Sequence, residues 1–491
     1  MKQIIKLTSL LTVLCIVFSL VTVASPASAA EVKLTCTTAD EWTELFYRTN
    51  QNSRTWLGAD GIFSVALDGN DAFASANGDT NTFFIFSDTL MGTSDANGKH
   101  TGQWGMPNHT SALLSGSAPD KDNISFVYGN GGNMRHDENL FGQKRWMLDC
   151  LVIKDKLYVF GFPERDWKPT QIDMFTLPVK NGTVDYEAYV KTERISQLCY
   201  RDGNTALYAY GIGIMCNTVS AGAPNPDGYI YIYGYRDAIN EWSRKDLIVS
   251  RIKEADFPDF SKLTYWDGQN WVTDIKSSKP VLRSVSCEMS VTPITTGPYK
   301  GKYIAIYTKN TEGAEVAYSI SDTPYGSFSN GVTFYNCPEY KTTSADGKGW
   351  LYTYNAKAHP HLSEDDKLLV SYNCNARDCN TQHPSDYHPR FLWLDLDPNN
   401  EGGDDVSSEA PVSSEAPVSS NVTTEVSSDV SSETIVSENA ESTISNTISS
   451  ENTTSNLPAD TPPGYNIFSV LMIIALLAAV AVFVTVHLKK R

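Results

Sequence analysis

A short run of aromatic and β-branched residues recurs five times along the chain: FFIFSDTL from Phe83, LYVFGF from Leu157, YIYIYGYRD from Tyr229, YIAIYTKN from Tyr303 and LLVSYN from Leu368. The intervals are 74, 72, 74 and 65 residues. Another strand pattern precedes each run, at Gly61, Arg145, Gly211, Ser284 and Tyr354, and a third follows it, at His109, Thr170, Lys245, Glu315 and Arg390. A fixed period of this kind means one supersecondary unit repeated, its faces buried against its neighbours. Radial repetition predicts an all-β, five-bladed β-propeller over residues 31–400, with the first strand of each unit innermost. Two packed β-sandwiches are the alternative, and the near-constant period counts against them.

The segments outside this body read differently. Residues 1–30 carry Lys2 and Lys6, a long apolar stretch and Ala27-Ser28-Ala29, the pattern of a secretory signal peptide. Residues 401–465 hold twelve acidic residues and no Lys or Arg among Ser, Thr, Val and Pro, which predicts a disordered stalk. Within 466–491, the uncharged apolar run 467–486 precedes Lys489, Lys490 and Arg491, which predicts one transmembrane helix with a basic cytoplasmic end. The expectation is a monomeric, single-pass cell-surface protein with its N-terminal body outside and its C-terminal helix in the membrane. The formal net charge is −18, and the body alone has 45 acidic against 34 basic residues. That excess argues against nucleic acid as a partner and suits a neutral polymer.

An innermost strand borders a central channel, so its polar residues become site candidates. SVSCEMSVTPI, from Ser284, alternates polar and apolar residues and places Glu288 at its middle. Asp60 precedes the first inner strand, Asp149 lies in the second, Asn217 in the third, and Asn355 and His359 in the fifth. Asp88 lies in the first recurring run, after its apolar residues. Cys150, Cys216 and Cys287 adjoin Asp149, Asn217 and Glu288, and strand alternation turns those thiols away, to pack between blades. Carboxylates crowded round a small pocket are what glycoside cleavage requires, because one must hold a proton while another is ionised. On that basis Glu288 is the expected general acid, Asp60 or Asp88 the base or nucleophile, and Asp149 or His359 the group that tunes the acid. The plainer possibilities are that Asp60, in Gly-Ala-Asp-Gly, is a turn residue and that Asp149 forms a buried ion pair.

WLGADGIFSVALDG with FFIFSDTLMG, and YNAKAHPHLS with KLLVSYN, resemble the first and last blades of a family of secreted five-bladed propellers long catalogued only as a domain of unknown function. Some members are endo-acting arabinanases, and the wider set is similar to arabinanase/xylosidase-like propellers. The resemblance implies a glycoside hydrolase in which Asp60 and Asp88 are the acidic pair. The chain departs from it in having Phe-Ser-Asp-Thr rather than Gly-Asp-Thr, with ALDGNDAFASANGDTNT widening the interval between the two Asp.

Aromatic rings near strand ends could stack on sugars, which nominates Trp56, Trp104, Tyr235 and Trp350 beside Asn217 and Asn355. Most of the body's aromatics are expected to fill spaces between blades. Cys374, Cys379, His383 and His388 have the spacing of a zinc site, although a disulfide from Cys374 to Cys379, or from one of them to Cys337, is favoured over zinc. No cofactor is expected, calcium in the central channel being the one ion the carboxylates could take. Two functions follow: a surface-anchored hydrolase of an extracellular, arabinose-containing polysaccharide, or a non-catalytic, glycan-binding adhesive propeller.

Overall fold

The computed structural model describes residues 32–398 apart from 166, 203–205 and 239–243. The expected signal peptide, stalk and membrane helix lie outside the described residues, and among the described residues no helix is long and apolar enough to cross a membrane. Nearly all regular structure is β.

Five antiparallel sheets follow one another along the chain, each built outward from its first strand. The first comprises Phe63–Ala66, Asn81–Phe86, Thr110–Ser115 and Ile124–Val127. The second begins Trp146–Ile153, Lys156–Phe162, Asp173–Lys180, and the third is built on Ala206–Asn217, Tyr229–Ala238 and Lys245–Lys253. The fourth is Ser290–Pro293, Tyr303–Thr308, Glu315–Ser321 and Val332–Asn336. The fifth takes Trp350–Ala358, Lys367–Arg377 and Arg390–Asp395 from the C-terminal end of the body and Thr35–Thr38 from the N-terminal end. The recurring aromatic runs are the second strands, whose two faces are both covered and therefore read as near-continuous apolar stretches.

First strands of successive sheets pack on one another from the first to the fifth. The fifth returns to the first through side chains: His359 Nδ1 meets Ser64 Oγ at 2.7 Å, and Lys357 Nζ donates to Gly61 O at 2.6 Å. The only α-helix among the described residues, Asp40–Phe46, reinforces that join. Its buried Phe46 stacks on Phe391 of the fifth sheet at 5.5 Å and meets Phe84 of the first edge-on at 5.3 Å.

Three expectations need correction. SVSCEMSVTPI is not one strand: Leu282–Val285 pairs with the third sheet, Ser290–Pro293 opens the fourth, and Glu288 lies in the crossing between them. The described cysteines are all free, so the disulfide expected at Cys374 is not formed; Cys374 packs with Leu351 and Ala376 instead. Cys150 packs between the first and second sheets with Phe63, Val65 and Val159, as expected, but it and Cys216 also line a cavity of about 270 Å³ with Asp71, Asp149 and Lys357, so neither thiol is turned away from the polar side. At Cys150 a β-bulge in the inner strand breaks the strict alternation, whereas Cys216 and Asn217 keep regular pairing and it is Cys216 that faces the cavity.

The strand Thr35–Thr38 is anchored by Leu34, which is 1% exposed and packs with Ile294, Ile304 and Leu392. Leu34→Ala should therefore lower unfolding free energy by about 2–5 kcal/mol in urea titration. A loss below about 0.5 kcal/mol, the size of an ordinary surface change, would contradict this anchoring.

Candidate active site

Asp60 and Asp88 sit where two paired strands leave one sheet together and enter another. In the first sheet Phe63 opposes Ile85; beyond the bend, Ala59 opposes Thr89 in an accessory sheet made of Gln51–Ala59, Thr89–Ser94 and His100–Gly105. At the bend, Asp60 N–H donates to Asp88 O at 3.2 Å and Ser87 N–H donates to Asp60 O at 2.9 Å. The two acids are thus cross-strand neighbours, with Cβ atoms on the order of 5 Å apart. The long interval between them is a loop over 67–80 and leaves their pairing untouched. Gly61 makes the bend possible: its φ is +81°, and a Cβ there would come within 2.8 Å of Ser87 N.

The two carboxyls have different surroundings. Asp60 Oδ2 accepts from Tyr354 Oη at 2.7 Å. Burial, followed by the Asp88 charge, raises the Asp60 pKa well above the usual carboxylate range, while the Tyr354 hydroxyl opposes the rise. Asp88 Oδ1 accepts from Asn108 Nδ2 at 2.7 Å and from Trp146 Nε1 at 3.2 Å. Tyr387 fixes the turn behind them by donating to Asp88 O at 2.8 Å.

Glu288 and Asp149 approach from other sheets. Glu288 Oε2 is 2.5 Å from Lys357 Nζ, and both residues are buried. Burial raises the Glu288 pKa and Lys357 opposes it. The expected general acid is thereby one half of a buried ion pair. Asp149 sits at the bulge of the second inner strand, accepting from Cys150 N at 2.8 Å and Ile214 N at 2.6 Å. Among the described residues it forms no ion pair, and burial pushes its pKa up to about 8.

The remaining expected residues divide. His359 is fully buried, both ring nitrogens meet hydroxyls of Ser64 and Ser371, and burial drops its pKa well below the usual value. It is a packing residue, neutral and away from solvent. Trp56 is 0% exposed and stacks on Phe126 at 4.3 Å; Tyr235 is 4% exposed within the core. Neither has a face for a sugar. Asn217 is buried at the far end of its strand and donates to Asn225 O, and Asn355 is buried in a bulge with φ +56°. Trp104 is exposed on the accessory sheet, and Trp350 is half-buried on the fifth.

Sequence reasoning missed Tyr354, Trp146, Tyr387 and Lys357. The alternation Trp350, Tyr352, Tyr354 was the available signal for the first; the others are brought in only by the fold. At the would-be zinc motif, His383 Nδ1 accepts from His100 N at 2.9 Å and His388 Nδ1 meets Pro384 O at 2.6 Å. Among the described residues no three His, Cys, Asp or Glu gather as a metal site.

The Asp149 carboxyl has a sign that can be checked. Its folded pKa of about 8 lies above the ordinary value, so it favours the native state only while protonated. That contribution is complete below about pH 4 and is lost as pH rises towards 8. The stability of the wild type minus that of Asp149→Asn should fall across this range in denaturant titrations. A flat or rising difference would contradict the assignment.

The solved structures similar to the chain include a protein of Bacteroides ovatus ATCC 8483 named only as a candidate hydrolase, 17% identical with TM-score 0.52, covering 75% of this chain and 97% of that one. At that identity the likeness bears on the fold alone. An α-L-arabinofuranosidase from Podospora anserina is 11% identical with TM-score 0.36, over 71% of this chain and 98% of its own. An exo-1,5-α-L-arabinanase from a bovine ruminal metagenomic library is 10% identical with TM-score 0.37, over 70% and 95%. TM-scores so far below one half establish nothing further. No curated protein matches the chain. The sequence pattern of the family described as "Domain of unknown function (DUF5005)" matches residues 40–395, from the helix Asp40–Phe46 to the last strand of the fifth sheet, and the chain belongs to that family.

Proposed function

We propose that the five sheets are the blades of a five-bladed propeller and that the body is a glycoside hydrolase whose acid–base pair is Asp60 and Asp88. The observation that carries this reading is the cross-strand pairing of the two acids in unlike surroundings. Asp60, raised by burial and by its neighbour, keeps a proton for the leaving oxygen. Asp88, facing two N–H donors, is the ionised partner that activates water or attacks the sugar carbon. The acid is therefore moved from Glu288 to Asp60, because Glu288 is engaged with Lys357. Glu288 and Asp149 become positioning groups behind the pair. The substrate class is an extracellular polysaccharide, with arabinose-containing polymers first to be tried on the resemblance of the first and last sheets. Display at the cell surface rests on the apolar run 467–486 and the acidic segment before it. The adhesive alternative needs a bound glycan that is never cleaved.

The test is a panel of arabinan, arabinogalactan, xylan and galactan, with released oligosaccharides measured for wild type, Asp60→Asn and Asp88→Asn. Each substitution should lower turnover by about 10²–10⁴-fold without shifting the melting temperature downward. An aryl glycoside with a good leaving group should restore much of the Asp60→Asn loss and none of the Asp88→Asn loss. Wild-type rates in both variants would remove the pair from catalysis. Binding without cleavage by the wild type would transfer the case to adhesion.

A further inference from the structure

The inner strand of the fifth sheet, Trp350–Ala358, carries a feature that the acid pair does not use. Trp350, Tyr352 and Tyr354 are half-buried, while Leu351 and Thr353 between them are 5% and 0% exposed. Period-two alternation puts the three rings on one face, successive residues about 6.6 Å apart along the strand. The row ends at the acid pair: Tyr354 donates to Asp60, and burial followed by the Asp60 charge raises the Tyr352 pKa. Tyr352 stacks on Tyr354 with centroids 5.2 Å apart, and Trp350 meets Tyr352 at 6.2 Å.

A polar row runs beside the aromatic one. Register pairs Trp350 with Arg377, Tyr352 with Asn375 and Tyr354 with Asn373, so all six side chains share a face. Arg377 lies 4.5 Å from the Tyr352 centroid and pairs with Glu312 at 2.8 Å. Asn375 donates to the Tyr354 hydroxyl at 3.4 Å. Asn373 is 0% exposed, and neither its amide oxygen nor its nitrogen has a hydrogen-bond partner among the described residues. A buried amide left unpaired is costly, and native structures seldom keep one without water or a ligand to satisfy it.

We infer that this two-row face is a saccharide-binding track for the sugar units on one side of the scissile bond. Flat rings take the apolar faces of successive units, and the neighbouring amides and guanidinium take their hydroxyls. A linear, uncharged oligosaccharide fits it: the spacing repeats along one line, and Glu312 already neutralises Arg377. This inference deepens the hydrolase reading and rests on it for its direction, outward from Asp60.

The test separates the two. Full-length Asp60→Asn protein is titrated calorimetrically with linear arabino-, xylo- and galacto-oligosaccharides of two to six units, with and without Trp350→Ala. For at least one series affinity should rise with chain length, and Trp350→Ala should weaken the longest member roughly ten-fold and the disaccharide least. An unchanged melting temperature, with Trp350→Phe restoring the length dependence, would show that stacking and not folding was lost. Length-dependent binding through Trp350 in a protein whose wild type cleaves nothing would keep the track and sink the hydrolase. Cleavage by the wild type with no effect of Trp350→Ala on any chain length would do the reverse. Failure of every oligosaccharide to bind would overturn the track.

Discussion

The ammonium of Lys357 is the point on which the site depends. It starts in the fifth sheet, donates to Gly61 O beside the first and pairs with Glu288 ahead of the fourth. It is 1% exposed and lies 4.3 Å from the Phe63 ring centroid. A charge buried this deeply is tolerable only with its partners in place, and breaking such a pair from one side typically costs about 3–5 kcal/mol. The carbonyl it holds belongs to the residue after Asp60, so closing the ring and setting the Asp60 turn are one interaction. Glu288 fits this arrangement better as the partner of Lys357 than as a group exchanging protons with a substrate.

Irregular backbone recurs along the inner strands, and in all but the third it lies where they carry their polar residues. The first strand bends at Asp60 and Gly61, the second bulges at Asp149, the third bulges at Gly211 and Ile212, and the fifth bulges before Lys357. The fourth is broken outright, with Glu288 in the gap. A bulge re-aims one side chain while leaving the sheet paired on either side. The strands can thus remain apolar towards their neighbours and still present carboxylates and a lysine to the interior. Tertiary packing on both faces supplies the stability that such interruptions lose locally.

The strand repeats were legible because second strands are covered on both faces and carry long apolar runs that no loop imitates. Asp60 and Asp88 were legible as candidates, but their cross-strand pairing was hidden by the loop between them. Glu288 misled through perfect alternation, a pattern that cannot reveal that the strand changes sheets halfway. Trp56 and Tyr235 were overrated because ring chemistry does not disclose burial. The Trp350–Tyr354 row was cut off by beginning the last unit at Tyr354, although its alternation was present in WLYTY. Thr35–Thr38 could not be placed from sequence, since its partner Arg390–Asp395 is more than three hundred residues away.

The central claim is that Asp60 works in its protonated form, with a pKa raised by burial and then by the Asp88 charge and opposed by Tyr354. The most direct measurement is the pH dependence of kcat/KM for glycan hydrolysis in wild type and Tyr354→Phe. The high-pH limb reports the acid in the free enzyme. Removing a hydroxyl that stabilises the Asp60 carboxylate must raise the Asp60 pKa further, so that limb should move to higher pH. A limb that stays in place or moves to lower pH would show that Asp60 is not the acid.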